Sequence, residues 1–353
     1  MLQQPDNEHF PLMPIAQSEI KIASFNLLNY LAPPNAYYDF ENIYSYEQWH
    51  KKQHWLTSIL EAQQPDIIGF QEVFSADDLQ ALLRDIGYPY FAVVDEPKVE
   101  GDFIYRSPVV AIASKFPITE VIAVEADNEA AQLMGWAEFS FSRKPLRATV
   151  DIPHIGTTDC YVTHLKSKRS LFDDPLPETI AKSGSALSSF LGQRLGNWGS
   201  SMLRGTEAAL LQLAMVKRRE QTSNPMVLCG DYNDVISSSC LEELTASRVY
   251  GMSESDTERL INFYCLYDGW QLYTQVNPQD EEAIRPATHY FNGKGSVLDY
   301  ILLSQEFNAS YLGSLFEVSH YHTEDKHLVN SSFDIDGYST DHAIPIVTLS
   351  LRS

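Results

Sequence analysis

The sequence predicts a mixed α/β sandwich, with two β-sheets packed face to face and helices on their outer sides. Short apolar segments of strand character outnumber helical ones along the chain. Some neighbouring strands are joined by a tight turn, as between 147–152 and 159–164, which a regularly alternating doubly wound sheet would not allow. With 44% hydrophobic residues in 353, there is enough apolar material to fill a core between two sheets.

The elements follow in order. Residues 19–26 (EIKIASFN) alternate Ile20, Ile22 and Ser24 with Lys21 and Ala23, and read as a first strand ending in Asn26. Residues 46–63 read as a helix that stops before Pro65, and 66–71 (DIIGFQ) as a short buried strand closed by Glu72. Ser75 opens a second helix, with Asp77 and Asp78 favourable in its first turn. Further strands are expected at 109–114, 147–152, 159–164, 226–230, 297–303 and 344–349, and a long helix at about 202–219. Residues 167–201 and 321–339 fit no regular element and read as long loops. One follows His164 and the other precedes Asp341, so both are expected to cover a site.

No linker, repeat or low-complexity tract divides the chain, so a single catalytic domain is expected over 19–353 after an N-terminal extension, 1–18. Residues 1–15 lack the basic and apolar regions of a signal peptide, and no run approaches the roughly 18 apolar residues of a membrane span. A cytoplasmic protein is expected, or a secreted one if a leader has been trimmed. The cysteines at 160, 229, 240 and 265 show no zinc-like spacing and read as free thiols. A net charge of −22 opposes strong nonspecific binding to polyanions, although a bound cation can reverse the field within one cleft.

Polar residues end the apolar strands in a recurring way: Asn26, Glu72, His164, Asp231 with Asn233, Asp299, and Asp341 with His342. Alone, each is a plausible turn former or cap. Gathered on one rim, they suit hydrolysis of a phosphodiester, an anion that resists attack by another anion. Glu72 and Asp341, with Asn26 adding a neutral oxygen, are expected to hold Mg²⁺ or Mn²⁺. His342 is the expected base, oriented by Asp299. Asp231 and Asn233 would orient water or phosphate, and His164 would donate to the developing charge.

In these segments the chain resembles the endonuclease/exonuclease/phosphatase superfamily. The matching stretches are ASFNLLNY, PDIIGFQEV, SPVVAIASKFPI, YVTHLKSKR, VLCGDYND, SVLDYILLS and STDHAIP, in the family's order. The resemblance implies a four-layer sandwich of two mixed sheets flanked by helices, DNase I-like, and Mg²⁺- or Mn²⁺-dependent phosphoester hydrolysis. It implies the same residue roles as those above. His164 sets the chain apart from AP endonucleases, and HLKSKR with RGTEAALL looks most like bacterial nuclease-type members. A nuclease is therefore expected, acting on nucleic acid or another phosphodiester with no protein partner inferred. A phosphatase or sphingomyelinase-like phospholipase is the alternative, and a noncatalytic binding protein of the same fold is a third. Arg106, Lys166 and Arg204 are expected to contact the substrate, with Lys168 and Arg169 adding to the positive field.

Overall fold

In the computed structural model, residues 19–172, 176, 180, 184–245, 251–280 and 284–352 are described; the expected extension at 1–18 lies outside them. The alternation that begins at Glu19 carries the first strand through Glu19–Tyr30, with Ile20, Ile22, Phe25, Leu27 and Tyr30 all buried. The helix Tyr46–Gln63 starts at a capping box in which Ser45 and Gln48 satisfy each other's backbone N–H groups.

The main strands form two six-stranded sheets. The first runs in the order Phe316–Glu324, Ile344–Leu351, Glu19–Tyr30, Ile67–Val73, Val109–Ser114, Tyr90–Val93. The second runs Tyr267–Asp268, Asp299–Leu303, Met226–Asp231, Gly156–His164, Leu146–Ile152, Ile118–Ala123. Each has a parallel pair at its centre, and its other neighbours are antiparallel. Parallel partners end on the same rim. Asn26 lies opposite Gln71 in one sheet, and His164 opposite Asp231 in the other. Asp299, opening the antiparallel strand beside them, lies opposite Asp231. The topology thus gathers strand ends distant in sequence.

Ile22, Ile112, Val162, Val227, Ile301 and Val347 fill the space between the sheets. On the outer face of the first sheet, Phe25 and Phe70 meet Trp55, Leu56 and Leu79 of the helices Tyr46–Gln63 and Ala76–Asp85. On the outer face of the second, Tyr161, Leu228 and Tyr300 meet Ala208, Leu211 and Met215 of the helix Ala186–Thr222. The four layers of the DNase I-like sandwich follow. Each fully buried Leu, Ile or Phe contributes about 1.5–3 kcal/mol relative to exposure. The sheets come close at Gly69, where a Cβ would stand 2.9 Å from the Cβ of Cys229, so a larger residue there would force them apart.

Two expectations are corrected. Residues 186–201 are helical, continuing the expected helix N-terminally as Ala186–Thr222. Gly192, Gly196 and Gly199 lower helix propensity, but Gly196 and Gly199 are needed where the helix meets Ser170 and Leu171. The other region, 321–339, begins as the last residues of the strand Phe316–Glu324 and then forms the short helices Lys326–Val329 and Phe333–Asp336.

Candidate functional site

The first strand does not run straight to its end. Leu28 and Asn29 adopt left-handed backbone, with φ of 50° and 52°, and the pairing with the next strand shifts register between Asn26 and Tyr30. Glu72 is also left-handed, with φ of 61°, at a register shift in its own strand. Such positions cost about 1–3 kcal/mol each in non-glycine residues. The two bulges let Asn29 N–H donate to Glu72 Oε2 at 2.9 Å, which turns the carboxylate along the rim. Asn26 ties the sheets together: its Oδ1 accepts from Leu28 N–H at 3.0 Å, and its Nδ2 donates to Asp231 Oδ2 at 3.1 Å.

The segment carrying Asp341 and His342 is held from several sides. Thr340 Oγ1 donates to the Asn26 carbonyl at 2.8 Å and accepts from His342 N–H at 3.2 Å. Ala343 N–H donates to the Thr288 carbonyl at 2.7 Å, and Lys52 Nζ to the Ser339 carbonyl at 2.8 Å. His342 is buried, and its Nδ1 donates to Asp299 Oδ2 at 2.8 Å. That bond leaves Nε2 facing Asp231 Oδ2 and Asp341 Oδ1, each at 3.9 Å.

On the second sheet, Asp231 Oδ1 accepts from Asn233 N–H at 2.8 Å, a local turn that places Asn233 in the left-handed region. Asn233 Nδ2 donates to the Leu165 carbonyl at 3.0 Å. His164 Nε2 stands 3.5 Å from Asp231 Oδ2. Burial, with Arg143 and His342 nearby, holds His164 well below the ordinary imidazole value, so its ring is neutral. Burial also opposes charge on His342, but Asp299 and Asp231 outweigh it and push His342 well above that value. For Asp231, burial pushes the carboxyl up to about 7, against the pull of His342. A cation at the adjacent carboxylates would lower it.

A cavity of about 390 Å³ opens on this rim. It is lined by Glu72, His164, Asp231, Asn233, Asp341 and His342, and also by Tyr38, Arg143, Lys166 and Arg169. A larger cavity, about 780 Å³, lies between the helices Glu254–Tyr264 and Gly269–Val276, away from this constellation. Among the sequence candidates, Asn26, Glu72, His164, Asp231, Asn233, Asp299, Asp341, His342 and Lys166 come together. Arg204 and Arg106 do not line the cavity. Arg204 is 2% exposed and pairs with Asp234 at 2.9 Å while donating to the Lys166 carbonyl, so it braces the loop from beneath. Arg106 pairs with Glu100 at 2.8 Å on an exposed edge.

Glu72, Asp341 and Asn26 carry oxygen donors, the kind of ligand a hard divalent cation takes. The buried cation beside them is Lys52. Burial pushes it down to about 7 in spite of Glu72 and Asp341, so it neutralises them only in part. The donor atoms of Asp231, Asp299 and His342, and those of His289, Asp341 and His342, lie within 4.8 Å of one another. Sequence reading missed Lys52 and Arg143 as site residues. Lys52 had a signal, since it interrupts the apolar face formed by Trp49, Leu56 and Leu60. Arg143 had none: it precedes a strand in a short basic run, and the fold alone carries it to the cavity.

Residues 23–342 match the model of the Endonuclease/Exonuclease/phosphatase family. No curated protein matches the sequence. Among solved structures, the catalytic domain of human Nocturnin superposes with a TM-score of 0.55 at 16% identity, over 95% of this chain and 95% of that one. An endonuclease/exonuclease/phosphatase from Beutenbergia cavernae gives 0.54 at 16%, over 95% and 72%. ANGEL2, a 2',3'-cyclic phosphatase, gives 0.53 at 14%, over 94% and 95%. At such identities the structural likeness concerns the fold.

Proposed function

Since the chain belongs to the Endonuclease/Exonuclease/phosphatase family, we propose that it hydrolyses phosphodiester bonds with Mg²⁺ or Mn²⁺ at the rim where the two sheets meet. The observation that carries this reading is the buried His342–Asp299 pair, whose free Nε2 faces the carboxylates of Asp231 and Asp341. Glu72, Asp341 and Asn26 would hold the metal, which when bound supplies charge neutralisation at the phosphoryl and leaving oxygens. His342 Nε2 takes a proton from the attacking water, and Asp299 stabilises the resulting imidazolium. Asn233 and the neutral His164 donate hydrogen bonds to the phosphoryl oxygens as charge builds there. Arg143, Lys166 and Arg169, which line the same cavity, hold the non-reacting part of the anion.

Nucleic acid is the substrate expected from sequence, and these lining cations support it. A second reading, an amphiphilic phosphodiester, is favoured by the exposed apolar side chain of Phe172, whose backbone bonds Ser170 of the cavity lining. The test is hydrolysis of a panel with and without Mg²⁺ or Mn²⁺: plasmid DNA, single-stranded DNA, RNA, sphingomyelin and an inositol phosphate. Metal-dependent cleavage of a diester that is lost in His342→Ala supports the reading. Metal-independent cleavage, or full activity in the variant, overturns it.

A further inference from the structure

Glu207 is a buried carboxylate within the helix Ala186–Thr222. A carboxylate in the interior is strongly disfavoured unless its oxygens are bonded. Both are taken, and by two different segments. Oε1 accepts from Ser142 N–H at 2.7 Å, and Oε2 from Lys166 N–H at 2.6 Å. Ser142 leads into the strand Leu146–Ile152, and Lys166 follows its antiparallel neighbour Gly156–His164, so the two segments meet the second sheet at the same end. Arg204, three residues before Glu207 and on the same face of the helix, donates to the Lys166 carbonyl at 3.1 Å and to Asp234 at 2.9 Å. One turn of helix thus holds Lys166 by both its N–H and its carbonyl.

We propose that Glu207 is a positioning residue for anion binding, which fixes Arg143 and Lys166 in the lining of the site cavity. The proposal rests on the phosphodiesterase reading for the role of those two cations. Each segment that Glu207 holds carries one of them, Arg143 next to Ser142 and Lys166 itself. Both keep their charge free. Lys166 Nζ bonds oxygens of Ser167 and Arg169 and, among the described residues, no carboxylate. Arg143 donates to the Leu165 carbonyl at 3.4 Å, and its Nε is a buried N–H without a hydrogen-bond partner among the described residues. Burial raises the Glu207 carboxyl above its ordinary value, and the bonds from Ser142 and Lys166, with the charge of Arg143, pull against that rise. Because Glu207 engages backbone N–H groups, it aligns two cations without pairing with either. A glutamine in its place has the same shape but one acceptor oxygen, so its NH₂ would face one of the two N–H groups. Donor against donor releases one of the segments.

The experiment measures binding of inorganic sulfate to the chelator-treated full chain by calorimetry at constant ionic strength. Native protein is compared with Glu207→Gln, Lys166→Ala and the double variant, and thermal melts check the fold. The sulfate Kd is expected to rise about tenfold in each single variant, the size of one charge-assisted hydrogen bond. In the double variant the rise should fall well short of the product, about a hundredfold, because Glu207 acts in part through Lys166. With Mn²⁺ present, Glu207→Gln should raise KM for bis(p-nitrophenyl) phosphate, a soluble diester, more than it lowers kcat. Glu207→Asp, which keeps the charge on a shorter arm, should weaken sulfate in the same way. Absence of sulfate binding by the native chain, native affinity in Glu207→Gln, or losses that multiply in the double variant overturns the proposal. So does a fall in kcat with KM unchanged, or unfolding of both Glu207 variants, which would make the residue purely structural. The expected pattern of sulfate binding, without diester turnover by the native chain, would count instead against the phosphodiesterase reading.

Discussion

His342 is pulled in two directions. Burial disfavours its charged form, while Asp299 and Asp231 favour it and win, so its proton is released above the ordinary imidazole value of about 6.5. As a base it must be neutral. The rate is therefore expected to rise with pH along an acid limb centred above about 6.5. Replacing Asp299 with Asn removes the charge that holds the proton, so that limb should move to lower pH while the maximal rate falls about 10²–10⁴-fold. A pH–rate profile of both proteins checks this; a limb that stays in place would show that another group titrates. Much of the site was legible in the sequence because its residues interrupt apolar strands at their ends, as Asn26, Asp231 and Asp299 do. Arg143 was not, since nothing local distinguishes an arginine that lines a cavity from a solvated one. The same limit applies to Arg204, whose burial and pairing with Asp234 depend on the tertiary fold.

At the scale of elements, the central strands were readable and the edge strands were not. Ile67–Val73 and Met226–Asp231 are buried on both faces and appear as continuous apolar runs. Tyr90–Val93, Ile118–Ala123, Tyr267–Asp268 and Phe316–Glu324 all lie at sheet edges, where polar or half-exposed residues break the pattern. The first half of the helix Ala186–Thr222 was hidden for a different reason. Its glycines read as a loop until the close contact with Ser170 and Leu171 is known. Gly69 provides a test at this scale. Gly69→Val should cost about 1–3 kcal/mol by pushing Cys229 and Val162 away, measured by urea unfolding. An unchanged midpoint would mean that the sheets are not in contact there.

For the whole molecule, the acidic surface limits how a polyanion can bind. Arg143, Lys166 and Arg169 are the cations lining the site cavity, which predicts a shallow dependence of nucleic-acid affinity on salt. A plot of log Kd against log salt should rise with a slope no steeper than about 3. A slope near 6 would require a positive surface that a net charge of −22 makes hard to assemble. The central claim, that two sheets bring a metal-dependent hydrolytic site together at their shared rim, is tested most directly on a substrate too small to touch anything else. The measurement is turnover of bis(p-nitrophenyl) phosphate by chelator-treated protein, before and after Mn²⁺ is restored, alongside His342→Ala. The expected result is silence without metal, recovery with it, and no recovery in the variant. Turnover that survives chelation, or that His342→Ala retains after Mn²⁺ is restored, would contradict the account.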